Sequence, residues 1–440
     1  MSAVSLIVKA AIAAAAADMY ILALSCTEGA GTVLAILAGV IAVLVLCIRP
    51  CGSKEGGRLG MLRRGYYGLG IFIIAVTAAG AVDIYLGATG SGWKTVLINS
   101  VTGFLCVALI FTVSIVRVYA SSVQLGIRWR VLGLLCAYIP PLNIIMLSKI
   151  ISLCRKEYLF ESSKAALDRS RHSKQICATK YPLLMVHGVF FRDAKLINYW
   201  GRIPKALEAN GAKIFYGSQQ SADSVAGCAA ELKAKIDEIV EKEGCEKVNI
   251  IAHSKGGLDS RYAVAMLGAD KRVASLTTIN TPHRGCQFAD FLLSKAPDGF
   301  KNAVANKYNA ALRKLGDKQP DFIAAVTDLT ASACEERNKV CKDAEGVYYQ
   351  SVGSCSVSAL GGRFPLNLSY HFVKYFDGPN DGLVSADSMK WGERFIFLEP
   401  EGRRGITHAD VIDLNRENIK GFDVREFFVG LVSELKEKGF

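Results

Sequence analysis

The chain has 440 residues, is 51% hydrophobic and carries a formal net charge of +12. That length holds two or three structural units. The basic excess comes without an arginine-rich helix or zinc-finger spacing, so no nucleic-acid partner is expected; the 13 cysteines contain no CxxC pair, so neither is a structural zinc site.

Apolar residues crowd into the stretch before about residue 155. Four runs approach or exceed the length needed to cross a bilayer: roughly Val4 to Ser25, Thr32 to Ile48, Gly68 to Leu86 and Val96 to Val118. The first contains Lys9 and Asp18. No basic residue precedes Lys9, so it makes a poor signal peptide, and Ala23-Leu24-Ser25-Cys26 is only faintly like a lipoprotein cleavage site. The link after the second run holds Arg49, Lys54, Arg58, Arg63 and Arg64. Arg117, Arg128 and Arg130 follow the fourth run, and the links Thr27 to Gly31 and Ala88 to Lys94 are poor in basic residues. Positive charge stays on the cytoplasmic side and is drawn to anionic lipid. The N-terminus, the 49–64 loop and the 117–130 segment are therefore expected there.

A fifth apolar stretch, Val131 to Cys154, has Pro140-Pro141 at its middle. Paired prolines remove helical hydrogen bonds, so a re-entrant or interfacial hairpin fits as well as a crossing. Basic residues on both sides favour the hairpin and a cytoplasmic second half; a crossing would put that half outside. The expected organisation is a transmembrane helical region over 1–155, a charged linker over 156–180 and a catalytic domain over 181–440.

In the second half, apolar runs and helix-compatible stretches alternate. Strands are expected at Leu183–Val186, Lys213–Tyr216, Val248–Ala252, Val273–Ile279, Val347–Val352 and Arg394–Leu398. Helices are expected at Arg202–Asn210, Ser224–Glu243, Gly257–Leu267 and Val424–Lys436. Such alternation gives a mostly parallel sheet covered by helices on both faces, with catalytic groups at the carboxyl ends of its strands. Between Lys295 and Lys342 the pattern is helical only, over Phe300–Leu315 and Phe322–Arg337. A helical insertion at this point either covers an active site or simply packs on the domain, and the sequence fits both.

The run Val248–Ala252 stops at His253-Ser254-Lys255-Gly256-Gly257, where a helix begins. A serine between strand and helix, with small residues two before and two after, marks a nucleophile elbow. A serine hydroxyl needs a base to take its proton and an acid to hold that base in the right tautomer. In this fold the chain order is serine, acid, histidine. His172 and His187 precede Ser254, His253 adjoins it and His283 follows too soon. His371 lacks an acid in a suitable loop before it. His408, in Gly405-Ile-Thr-His-Ala-Asp410, is the best base. Asp381, in Asn380-Asp-Gly-Leu-Val384, is the best acid, with Asp377 its local rival. The oxyanion is expected to meet the backbone N–H groups of Lys255 and Val189.

The set Tyr181-Pro182 to Gly188, Val248 to Gly257, Arg261-Tyr262, Thr277-Thr-Ile-Asn-Thr-Pro-His-Arg-Gly285, Asn380 to Val384 and Thr407 to Asp410 resembles the bacterial triacylglycerol lipases of the α/β-hydrolase superfamily. The resemblance covers about 180 to 440. It implies Ser254 as nucleophile, Asp381 as acid, His408 as base, and Val189 with Lys255 as oxyanion hole. It also implies a lipid ester as substrate and, with the apolar half, an integral protein of a bacterial cell membrane. Such lipases often hold a structural calcium near the catalytic histidine. Asp410 matches one carboxylate ligand; the second is expected near 361, where this chain has Leu360-Gly361-Gly362. No calcium and no other cofactor is expected. Acyl transfer, thioester or amide hydrolysis by the same triad, and lipid binding without turnover, are the alternatives.

Overall fold

The computed structural model describes residues 3–25, 30–52, 55–189, 199–399, 402 and 404–440. Cys26, most of the first outer link and Lys54 lie outside them. The chain forms two compact units, Met1–Leu167 and Asp168–Phe440.

The first unit is helical: α1 (Ala3–Ala17), α2 (Met19–Ser25), α3 (Ala30–Ile48), α4 (Gly57–Ala88), α5 (Trp93–Ser121), α6 (Gly126–Leu135) and α7 (Leu142–Arg171). Helices α3, α4 and α5 are long and apolar enough to cross a membrane; α1 and α2 reach that length only together, with a 69° bend between them. The bend falls at Asp18, read in the sequence as part of one continuous run. The Asn99 amide donates to the Asp18 carboxylate at 3.0 Å and to Asp83 at 2.9 Å, and Ser100 Oγ donates to Asp83 at 2.7 Å. Polar groups among apolar helices must find such partners, since little else there will solvate them. Close approach of α4 and α5 needs small residues, as among membrane helices generally: a Cβ at Gly68 would lie 2.0 Å from Ser114 Oγ.

One expectation changes here. Helix α4 starts at Gly57 rather than near Gly68, so Arg58, Arg63 and Arg64 sit on its first turns instead of in a link. Arg58 finds the buried Glu157, which also accepts from Ser122 Oγ at 2.6 Å and from the N–H groups of Val123 and Gln124. The charged 156–180 stretch, whose sequence is helix-compatible, is helical as far as Arg171, where α7 ends. At Pro140-Pro141 the chain does turn, and α6 and α7 are separate helices on either side.

The second unit runs β1 (Leu183–Val186), α8 (Ile203–Ala209), β2 (Ile214–Tyr216), α9 (Val225–Glu243), β3 (Val248–His253), α10 (Lys255–Met266) and β4 (Val273–Ile279). It continues with α11 (Gln287–Lys295), α12 (Asp298–Leu315), α13 (Phe322–Thr327), α14 (Ala331–Val340), β5 (Tyr348–Ser354), α15 (Leu366–Asp377), α16 (Ala386–Met389), β6 (Arg394–Leu398) and α17 (Val424–Glu437). The strands form one parallel sheet in the order β2-β1-β3-β4-β5-β6. Successive side chains of a strand point to opposite faces, and both faces of this sheet are covered. Leu183, Met185 and Ile251 meet Trp200, Ile203, Leu207 and Phe428 on one side. Leu184, Ile250 and Leu276 meet Leu232, Ile236 and Val264 on the other. That double burial is why these strands read as unbroken apolar runs. This is the α/β-hydrolase arrangement.

Local signals place the helices. Ser224 caps α9 by accepting from the Gly227 N–H at 3.1 Å, and Gly244, in the left-handed region at φ 63°, ends it. The insertion holds α12, α13 and α14, where the sequence suggested two helices; the second expected helix is interrupted between Thr327 and Ala331. Helix α15 was not anticipated.

Candidate active site

Ser254 sits at the end of β3, where the chain reverses into α10. Its backbone is strained, at φ 56° and ψ −131°. A non-glycine residue held there costs about 1–3 kcal/mol, offset only by surroundings that force it. Those surroundings are visible. The Ser254 N–H donates to the Ile279 carbonyl at 2.9 Å, and Thr281 Oγ1 donates to the Ser254 carbonyl at 2.9 Å. Small neighbours are obligatory: a Cβ at Gly256 would lie 2.3 Å from the His187 carbonyl oxygen, and one at Gly188 would lie 2.8 Å from Ser254 Cβ.

Asp381 and His408 come together from loops 27 residues apart, with His408 Nδ1 at 2.6 Å from Asp381 Oδ2. The His408 N–H also donates to the Asp381 carbonyl at 2.9 Å. Asp381 is fully buried, and every acceptor position on its carboxylate is used. Oδ1 accepts from the Leu383 and Val384 N–H groups at 2.9 and 2.8 Å. Oδ2 accepts from Asn280 Nδ2 at 2.6 Å as well as from the imidazole. The ring of His408 lies 4.4 Å, centroid to centroid, from that of His253, the residue directly before Ser254.

Asp377, the local rival, caps α11 instead. Its carboxylate accepts from the Gln287 and Phe288 N–H groups at 3.0 and 3.2 Å. His283 lies on Trp391 at 4.7 Å; it accepts from Arg261 on Nδ1 and donates from Nε2 to Thr278. Burial keeps it neutral, well below the usual imidazole value, with Arg261 and Arg284 adding to the effect.

Lys255 and Val189 flank the serine. Among the described residues no acceptor takes either backbone N–H. The Lys255 side chain turns away, with Nζ at 2.7 Å from Asp259 and 3.3 Å from Cys228 Sγ. Burial works against its charge, but Asp259 and Cys228 outweigh that and hold its pKa up. The pair fixes the first turn of α10, and with it the orientation of the residue 255 amide.

Two contributors escaped sequence reading. Asn280, at φ 46°, holds Asp381 and also donates to Ser354 Oγ at 2.7 Å. It lies in the Thr277–Gly285 run, directly after a strand, and asparagine tolerates the left-handed region, but nothing in that run points to Asp381. Tyr199 joins the Gly188 turn to His253: its hydroxyl accepts from the Gly188 N–H at 2.9 Å and donates to His253 Nδ1 at 2.6 Å. Burial, with His408 beside it, holds His253 well below the ordinary imidazole value.

Above Ser254 opens an apolar cavity of about 270 Å³. The insertion supplies Phe300, Val304, Phe322 and Val326; Val189 and Leu383 complete the wall nearest the candidate triad. Phe300 of that lining is 60% exposed, and Phe364 and Tyr375, before and on α15, are 80% and 84% exposed.

A calcium ion does not fit beside His408. The Asp410 carboxylate is already taken, by Arg404 at 3.0 Å on Oδ1 and by Thr407 Oγ1 at 2.7 Å on Oδ2. At position 361 even a Cβ would lie 2.5 Å from the Arg404 carbonyl oxygen, so no aspartate can stand there.

The chain is similar to several known proteins. The palmitoyl protein thioesterase family matches residues 182–324. A triacylglycerol lipase of Pseudarthrobacter phenanthrenivorans is 36% identical over 174 residues, 37% of this chain and 54% of that one. One of Burkholderia plantarii is 36% identical over 37% of this chain and 48% of its own. The chain thus spans about half the length of these two bacterial relatives. Among solved structures, the mature Bacillus licheniformis lipase BlEst2 is similar over 58% of this chain and 92% of its own, at 23% identity and a TM-score of 0.43. Triacylglycerol lipase 2 of Saccharomyces cerevisiae is 30% identical over 264 residues, 56% of this chain and 75% of that protein. With three quarters of that relative matched, the chain belongs to the triacylglycerol lipase family of α/β-hydrolases.

Proposed function

We propose that the protein is a membrane-anchored serine hydrolase that cleaves carboxylic esters of lipids, with Ser254, His408 and Asp381 as its triad. The observation that carries this reading is the buried Asp381–His408 pair, 2.6 Å apart, with the His408 ring against that of His253, the residue before a strained serine that lines an apolar cavity. Ser254 Oγ attacks the ester carbonyl and His408 Nε2 takes its proton. Asp381 keeps the other ring hydrogen on Nδ1 and stabilises the imidazolium. The N–H groups of Val189 and Lys255 receive the oxyanion. His408 returns the proton to the leaving alcohol, and water repeats the sequence on the acyl-enzyme. The cavity lies below the low end of the ~300–1,000 Å³ usual for small-molecule sites, which suits one acyl chain.

The anchor is the helical unit, with three helices of sufficient length and apolarity. The basic residues at the start of α4 favour the catalytic half on the cytoplasmic side of a bacterial cell membrane. Ser254→Ala tests the chemistry: ester hydrolysis and fluorophosphonate labelling should both disappear, and retained labelling would defeat the assignment. A thioester substrate is the second reading, favoured by the match of residues 182–324 to palmitoyl protein thioesterases. Matched oxygen and sulfur esters of one fatty acid, compared by kcat/KM, separate the two.

A further inference from the structure

The loop that presents His408 is tied down by an arginine. Arg404 Nε donates to the Gly361 carbonyl at 3.3 Å. Its Nη2 donates to Asp410 Oδ1 at 3.0 Å and to Glu417 Oε2 at 2.6 Å. Asp410 passes the restraint on: its Oδ2 accepts from the Thr407 N–H at 3.1 Å and from Thr407 Oγ1 at 2.7 Å, and Thr407 is the residue before His408. Three segments, around 361, 407–410 and 417, therefore meet on one guanidinium. The Asp410 side chain is 1% exposed, so it cannot turn to water for another partner. An unpaired carboxylate at that depth is costly, and the cation beside it answers that cost. The rigid fork of a guanidinium reaches several acceptors at once, as a lysine does not. The backbone adds to the case. Ser356 and Gly405 bridge, and the Val357 N–H donates to the Arg404 carbonyl at 3.2 Å, so the residue itself is held in place.

We infer that Arg404 is a positioning residue, a cation built into the chain that locks the His408 loop where a bound calcium ion does not fit. The inference rests on His408 being the base. It leads to two expectations. The protein needs no divalent cation, because the carboxylate a metal would use is already neutralised. Removing the guanidinium lets the 407–410 turn drift relative to Asp381. A misplacement of about 1 Å costs on the order of a hundredfold in rate, so kcat should fall about tenfold to a hundredfold. KM should stay put, since the acyl cavity lies on other residues.

The experiment uses the full chain in detergent or nanodiscs. Arg404→Met and Arg404→Lys are compared with wild type for kcat and KM on a soluble ester, and for thermal unfolding with EGTA or with millimolar calcium. We expect wild-type unfolding and kcat to be indifferent to both additions. We expect Arg404→Met to lose kcat at constant KM, and Arg404→Lys to keep part of it. Should Arg404→Met not fold, the kcat loss at constant KM in Arg404→Lys carries the test. Full kcat in a folded Arg404→Met, or a calcium-dependent rise in wild-type unfolding temperature, would overturn the inference. Ser254→Ala run alongside separates the two ideas. If it is inactive while Arg404→Met keeps full kcat, only the role of Arg404 fails; if it is active, the triad itself fails.

Discussion

Asp381→Asn is the sharpest probe of the candidate triad, because the surroundings of Asp381 dictate what the amide must do. Oδ1 faces two backbone N–H donors, so the new amide oxygen has to stay there. The NH₂ group then takes the place of Oδ2, facing Asn280 and His408. Asn280 can turn its own oxygen to that NH₂ only by moving its NH₂ off Ser354 Oγ, to where its Oδ1 now has no partner among the described residues. His408 can answer only by carrying its hydrogen on Nε2, leaving Nδ1 as acceptor. In that tautomer it has no lone pair for the Ser254 proton. The expected loss is about 10⁴-fold in kcat, roughly 5.4 kcal/mol of barrier. Side-chain volume is unchanged, but one buried N–H donor of Asn280 or of the new amide loses its acceptor, which costs about 1–3 kcal/mol, so the unfolding temperature should fall while the variant stays folded. The assay is initial rates on a soluble p-nitrophenyl ester, with melting followed in parallel. Retention of about a tenth or more of wild-type kcat would refute the argument, since no tautomer-locked base sustains it.

Other outcomes follow from the same geometry. Asn280→Ala removes one charge-assisted hydrogen bond to Asp381, worth about 1.5–3 kcal/mol, and should lower kcat/KM by at least about tenfold; an unchanged value would return Asn280 to a purely structural part. Asp377→Asn should leave kcat within about threefold and cost at most about 2 kcal/mol of stability, because Asp377 only caps α11. Gly256→Val should give no soluble catalytic unit, because its Cβ would sit 2.3 Å from the His187 carbonyl oxygen; a soluble, active variant would contradict the elbow geometry. Stability should also fall on acidification. His253 and His283 are held neutral by burial, so their folded pKa values lie well below the unfolded ones. Below about pH 6.5 the unfolded chain binds protons that the folded chain refuses, and each histidine removes up to about 1.4 kcal/mol per pH unit. Unfolding temperature measured from pH 7 to pH 5 should drop, and drop less in His283→Gln.

Much of the catalytic unit was legible because its physics is local. Strands buried on both faces have to be apolar throughout, so β1, β3 and β4 announce themselves. The tight turn at Ser254 admits only small neighbours, and Ala252 and Gly256 display that. Chain order then singles out Asp381 and His408, which the structure brings to 2.6 Å. What stayed hidden depends on distant meetings. Asn280 reaches a residue 101 positions away, and Tyr199 reaches one 54 positions away; neither spacing leaves a periodic trace. Helix α15, with its apolar residues on one stripe and Pro365 just before it, resembles a loop until the neighbouring helix α11 supplies Phe288 and Phe291 for its aromatic face. The bend at Asp18 was masked by the uniform apolarity around it, and its position is set by Asn99 on another helix.

The wall of the cavity is shared by the inserted helices, helix α11 and the loops near 282–286 and 383–384, whereas the candidate triad stands on loops at the edge of the sheet. The inserted stretch holds part of that wall and none of the candidate triad. On the proposed reading, drift or recombination within 295–342 changes part of the wall while the candidate triad stays intact, and a chimaera carrying a relative's insertion should shift toward that relative's chain-length preference at little cost in turnover.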